Sequence, residues 1–200
     1  MQLDINYQND LSFFTYITVL DVSDFCPSIV RWFEKEPNAQ FRIVVDKEAD
    51  SDFISYSSMQ ELYPGIRVIA TVTNPWRRLV NIYEVLKQLN QERRLLETIK
   101  DIDFSNFTFE SFLTQLDTNI YKWFNFSTLQ SKWIDESNDF LYIVRDDFFE
   151  EDFKVLREYF KSDLPVDFKL TSYKEYYTEE TKKFVEDLFK SDIERFQFKY

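Results

Sequence analysis

The chain has 200 residues with 36 acidic and 24 basic side chains, a formal charge of −12, and is 44% hydrophobic and 19% aromatic. This length and apolar content are enough for a sizeable core and exclude a disordered chain, while the acidity argues against general nucleic-acid binding and an anionic membrane surface. The absence of histidine, with one glycine (Gly65) and one cysteine (Cys26), excludes imidazole catalysis, a His- or Cys-based metal site, an intrachain disulfide and a glycine-rich phosphate loop.

Met1–Asp10 is polar and acidic, unlike a secretory leader, and no apolar run approaches the ~18 residues of a membrane span. With a single cysteine suiting a reducing compartment, the expectation is a soluble, cytoplasmic protein.

In chain order, Phe13–Leu20 has the β-branched and aromatic composition of a buried strand. Ser28–Lys35 then reads as a short helix with Ser28 at its N-cap, Phe41–Val45 as a second strand, and Ser57–Tyr63 as one or two helical turns before Pro64-Gly65 breaks the chain. Arg67–Thr73 is a third strand. It runs into a helix starting at Pro75, whose Leu79, Ile82, Tyr83, Leu86 and Leu89 recur on one face, a pattern continued by Leu95, Leu96 and Ile99. Thr108 caps a helix to Leu116, Phe140–Val144 is a fourth strand, and Glu150–Phe160 a helix after it. A last helix is expected over Glu179–Phe196, capped by Thr178, with Phe184, Leu188, Phe189, Ile193 and Phe196 buried. Strands alternating with helices predict one α/β domain over residues 1–200, with a central, mainly parallel sheet flanked by helices.

Chemistry concentrates in Arg67–Tyr83, RVIATVTNPWRRLVNIY. Asn74 suits an N-cap and Pro75 the first helical position, so the N–H groups of this turn, with Arg77 and Arg78, form a candidate anion seat. First-turn positions are ordinarily exposed, so the plainer reading is a solvated helix start, with Arg78 alternatively pairing a carboxylate. Other groups have plain readings too. Cys26 is a small hydrophobe, the acidic run Asp146–Asp152 is a helix start enriched in acids, and Lys182, Lys183 and Lys190 lie on a solvated face. Trp32, Trp76, Trp123 and Trp133, with Tyr56 and Tyr63, either line an acceptor pocket or belong to the core.

The strand, N-P-x-x-R and apolar helix resemble the nucleotide-sulfate-dependent sulfotransferases of the bacterial and phage type, through Thr73, Asn74, Pro75, Arg78, Val80, Asn81 and Tyr83. YIVRDDFFEEDFKVL (Tyr142–Leu156) and YYTEETKKFVEDLFKSDIERFQFKY (Tyr176–Tyr200) resemble later blocks of that family, in the same order. The resemblance implies a P-loop-like sulfotransferase fold. It implies 3′-phosphoadenosine 5′-phosphosulfate as donor, with Ser28, Thr73, Arg77, Arg78 and Asn81 as the positions facing it.

The chain departs from the family pattern at the donor. Ile17–Val30 keeps only Ser28-Ile29 of the family's phosphosulfate loop, without its lysine and glycines, and carries Asp21 and Asp24 instead. Thr73 and Asn81 stand where the family has the arginine and serine that clasp the 3′-phosphate, so the charge-assisted bond is gone. No catalytic base is assigned. The expectation is a sulfotransferase-like protein with weakened or lost donor binding, acting as a binding or interaction protein. The alternative is an active sulfotransferase moving a sulfuryl group to a hydroxyl or amine of a glycan or small metabolite. Neither reading involves a metal, nucleic acid or a membrane.

Overall fold

A computed structural model describes residues 14–18, 31–32, 35, 40–44, 57, 61, 67–91, 104, 106–116, 129–132, 134, 141–166 and 168–200. Its elements are β1 (Phe14–Thr18), β2 (Gln40–Val44), β3 (Arg67–Val72), α1 (Pro75–Gln91), α2 (Phe109–Leu116), β4 (Leu141–Arg145), α3 (Phe149–Phe160), α4 (Glu179–Leu188) and α5 (Lys190–Phe196). The contacts group into two compact units: Met1–Thr73 with Gln130–Leu170, and Asn74–Leu129 with Thr171–Tyr200.

The first unit is α/β. Its four strands form a parallel sheet in the order β2-β1-β3-β4, with Tyr16 opposite Val68 and Ile69 opposite Tyr142. Val68, Ile69, Ala70, Thr71 and Val72 are all buried, the near-continuous burial expected of an inner strand of a parallel sheet. The order turns back at β1, and α/β sheets commonly place ligands beyond the carboxyl ends of the strands at such a point.

Helix α3 buries Phe149, Phe153, Leu156 and Phe160 in a cluster with Trp32, Ile69 and Val144. Trp32 meets Phe153 edge-on at 4.9 Å, and its indole N–H donates to the Leu164 carbonyl at 3.2 Å. This tryptophan is therefore core. The helix ends at Lys161 in the left-handed region (φ 53°), with Ser162 N–H bonded to Arg157 O and Lys161 N–H to Glu158 O. That double closure usually recruits glycine, which this chain scarcely contains.

The second unit is helical and aromatic. Trp76, Leu79, Val80, Ile82, Tyr83 and Leu86 of α1 pack in one cluster with Phe109, Phe112, Leu113 and Leu116 of α2, and with Tyr173, Val185 and Phe189. Tyr83 stacks on Phe107 at 5.2 Å and meets Phe109 edge-on at 5.4 Å. The expected caps of α2 and α4 form. Ser111 N–H reaches Thr108 Oγ1, and Thr178 and Thr181 make a reciprocal capping box.

The structure corrects several sequence expectations. The terminal helix is two helices, broken at Phe189 (φ −107°, ψ 21°), and no proline or glycine marks the break. Its buried stripe runs through Val185, Phe189 and Phe196, whereas Phe184 and Leu188 are each 36% exposed. The first turns of the acidic run differ too: Asp146–Phe148 forms a 3-10 turn and the α-helix begins at Phe149. β3 ends at Val72 rather than Thr73, Gln40 belongs to β2 and Arg145 to β4, while Phe13, Val19, Leu20, Val45 and Phe140 lie outside the described residues. Ser28, Cys26, Tyr56, Tyr63, Leu95, Leu96, Ile99, Trp123 and Trp133 lie outside the described residues. Among the described residues, no helix is long and apolar enough to cross a membrane.

Candidate functional site

The expected site residues among those described fall in two segments: Thr73, after β3 in the first unit, and the start of α1 in the second. β3 ends at Val72, and a side chain bonds both main-chain groups of the next residue, Thr73. Thr73 N–H donates to Gln130 Oε1 at 2.9 Å, and Gln130 Nε2 donates to the Thr73 carbonyl at 2.7 Å. A primary amide presents a donor and an acceptor side by side, so Gln130 completes the end of β3 as a neighbouring strand would. Gln130 is 0% and Thr73 1% exposed, so both bonds are closed to water.

In the second unit, Asn74 caps α1 as its sequence predicts. Its Oδ1 accepts the Trp76 N–H at 3.1 Å and its carbonyl accepts the Arg78 N–H at 2.9 Å. Its Nδ2 donates to the Lys199 carbonyl at 2.9 Å, tying the terminal segment to the cap. Pro75 supplies no N–H, so one of the orphan donors of a helix start is absent by construction.

The arginines are not on a solvated face. Arg77 is 7% and Arg78 2% exposed, which corrects the plain reading of a solvated helix start. The Arg77 Nε donates to the Thr171 carbonyl at 3.2 Å, and its guanidinium lies 4.9 Å from the centre of the Tyr173 ring. A guanidinium is planar and weakly hydrated, which suits it to a ring face and a carbonyl in a closed site. Burial here comes from a segment 94 residues away along the chain.

Around this start the aromatics interlock. Trp76 donates its indole N–H to the Lys182 carbonyl at 3.1 Å, and its own carbonyl accepts the Tyr177 hydroxyl at 2.8 Å. Burial pushes the Tyr177 phenol well above its usual range, reinforced by the neighbouring Tyr200 and Tyr173. Tyr200 packs edge-on against Trp76, Tyr173 and Tyr177 at 5.5–5.8 Å and donates to the Lys174 carbonyl at 3.0 Å. The Lys182 and Lys174 ammonium groups lie 4.5 and 5.4 Å from the centre of that ring. Lys183 and Lys190 are solvated as expected, but Lys182 is half-covered at 30% exposure because it folds over Tyr200.

Of the five positions the resemblance implies, Thr73, Arg77 and Arg78 are buried and Asn81 is half-buried on α1, while Ser28 lies outside the described residues. Arg77, Arg78 and Asn81 follow one another along α1, with Asn81 one turn on from the arginines. Sequence reading missed Gln130 and Tyr173. Neither has a local signal, since each works through a partner far away in sequence.

A second charged cluster sits where β4 runs into α3. Asp152 takes Arg145 in a fork, Nε to Oδ2 at 2.9 Å and the terminal nitrogen to Oδ1 at 2.8 Å, and Oδ2 also accepts the Arg145 main-chain N–H at 2.9 Å. The hydrogen bond to Asp152 raises the Arg145 pKa. The guanidinium also lies 4.1 Å from the centre of the Phe148 ring. Tyr142 donates to the Asp152 carbonyl at 2.7 Å, and its phenol is pushed up to about 12, chiefly by burial and then by the Asp152 carboxylate. Within the acidic run, Asp146 accepts the Asp147 N–H at 2.8 Å. Among the described residues, no group of three or more acidic or sulfur ligands is arranged to hold a metal ion.

Comparison with known proteins gives no match: no family model fits this chain, and no curated protein and no solved structure matches it.

Proposed function

We propose that this chain is a sulfotransferase-like α/β protein that no longer binds a nucleotide-sulfate donor and acts as a binding or interaction protein. The proposal of the sulfotransferase fold rests on the N-P-x-x-R element after an inner parallel strand, with Asn74 as N-cap and Pro75 at the first helical position. Support for lost donor binding comes from one observation above the others: the Gln130 amide takes both main-chain groups of Thr73, at the position where the family has a phosphate-clasping arginine. Arg77, a cation that the resemblance would turn toward the donor, instead holds the Thr171 carbonyl and the Tyr173 ring. Extracting Arg77 would break those contacts before any phosphate bond formed, a loss that the ligand would have to offset.

Thermal unfolding with and without adenosine 3′,5′-bisphosphate tests this reading. A donor site held at a hundred times its dissociation constant adds about 2.7 kcal/mol of stability. The proposal expects no change in midpoint at millimolar nucleotide. A saturable rise, abolished by Arg77→Ala in a variant that still folds, would restore the reading of an active sulfotransferase acting on a hydroxyl or amine of a glycan or small metabolite.

A further inference from the structure

We draw no further inference here: the strongest candidate, the groove of about 290 Å³ that Asp146, Asp147, Glu150 and Glu151 line with Phe168 and Leu170 at the start of α3, is an acidic cluster at a helix N-terminus, and no second feature of the structure points to a ligand for it.

Discussion

Two arginines near strand ends, Arg145 at the end of β4 and Arg77 in the first turn of α1, make different kinds of contact. Where β4 meets α3, the Arg145 cation faces the Asp152 carboxylate in a bidentate fork. At the first turn of α1, the contacts of Arg77 include the Thr171 carbonyl and the face of the Tyr173 ring. The first arrangement cancels charge within a few ångströms. In the second, a ring face and a carbonyl are among the contacts of the guanidinium, partners that its planar, weakly hydrated group suits. Basic residues clustered at a helix start are therefore poor evidence of an anion seat until their contacts are known. Here the arginines that would make such a seat are buried.

Substitutions can break each side of this comparison separately. The largest effect is expected from Gln130→Ala, which strands the N–H and C=O of Thr73 in a closed site. The cost is about 2–4 kcal/mol, since each buried, unsatisfied group costs roughly 1–3. Urea unfolding measures it, and a change below about 0.5 kcal/mol would mean that water replaces the amide. Gln130→Glu sharpens the point, because a carboxylate accepts from Thr73 N–H but donates nothing to its carbonyl.

Asp152→Ala should follow at about 2 kcal/mol. It leaves Arg145 without its fork and the Arg145 main-chain N–H without its acceptor, although the 23% exposure of the Arg145 side chain lets water recover part of the loss. Raised salt should weaken the wild-type pair only slightly, as its partners are largely shielded. Arg77→Lys is expected to cost ~1 kcal/mol, through lost planar stacking on Tyr173 and a bond to Thr171 that an ammonium reaches only by another geometry. If Arg77→Lys proved neutral while Asp152→Ala did not, the ring and carbonyl would count for little beside the ion pair.

Each region also holds a protonated tyrosine, Tyr142 in the first unit and Tyr177 in the second. Folding raises both phenol pKa values, Tyr142 to about 12, so the folded chain keeps protons that the unfolded chain releases from pH about 10. Their contribution is fully present below pH 10 and is lost as pH rises toward 12. For the partly exposed Tyr142, screening holds this to less than about 1 kcal/mol between pH 10 and 11. Unfolding midpoints that rise over that interval would contradict the assignment. The smallest expected effect is a gain: Lys161→Gly relieves the left-handed closure of α3 and should add about 0.5–1 kcal/mol.

Local rules carried much of the fold. The caps at Asn74, Thr108 and Thr178 were legible because a capping side chain and the donor it serves lie within three residues. Four apolar runs separated by helical patterns predicted a parallel sheet, although nothing local specifies the order β2-β1-β3-β4. The break at Phe189 was hidden because apolar spacing continues across it. The shift of the buried stripe from Phe184 and Leu188 to Val185 follows from packing against α1, not from the residues of α4. The candidate site was legible only in outline. TNPWRRLVNIY marks where the helix starts, but the burial of Arg77 depends on Thr171 and Tyr173, and the closure of Thr73 on Gln130. Such long-range partners leave no periodic trace.

Equilibrium dialysis of the chain against radiolabelled 3′-phosphoadenosine 5′-phosphosulfate at low salt, where phosphate contacts are strongest, separates a chain that has lost donor binding from one that keeps it. Loss of donor binding leaves equal label on both sides of the membrane up to millimolar donor. Saturable retention near one donor per chain, competed by adenosine 3′,5′-bisphosphate, would contradict it.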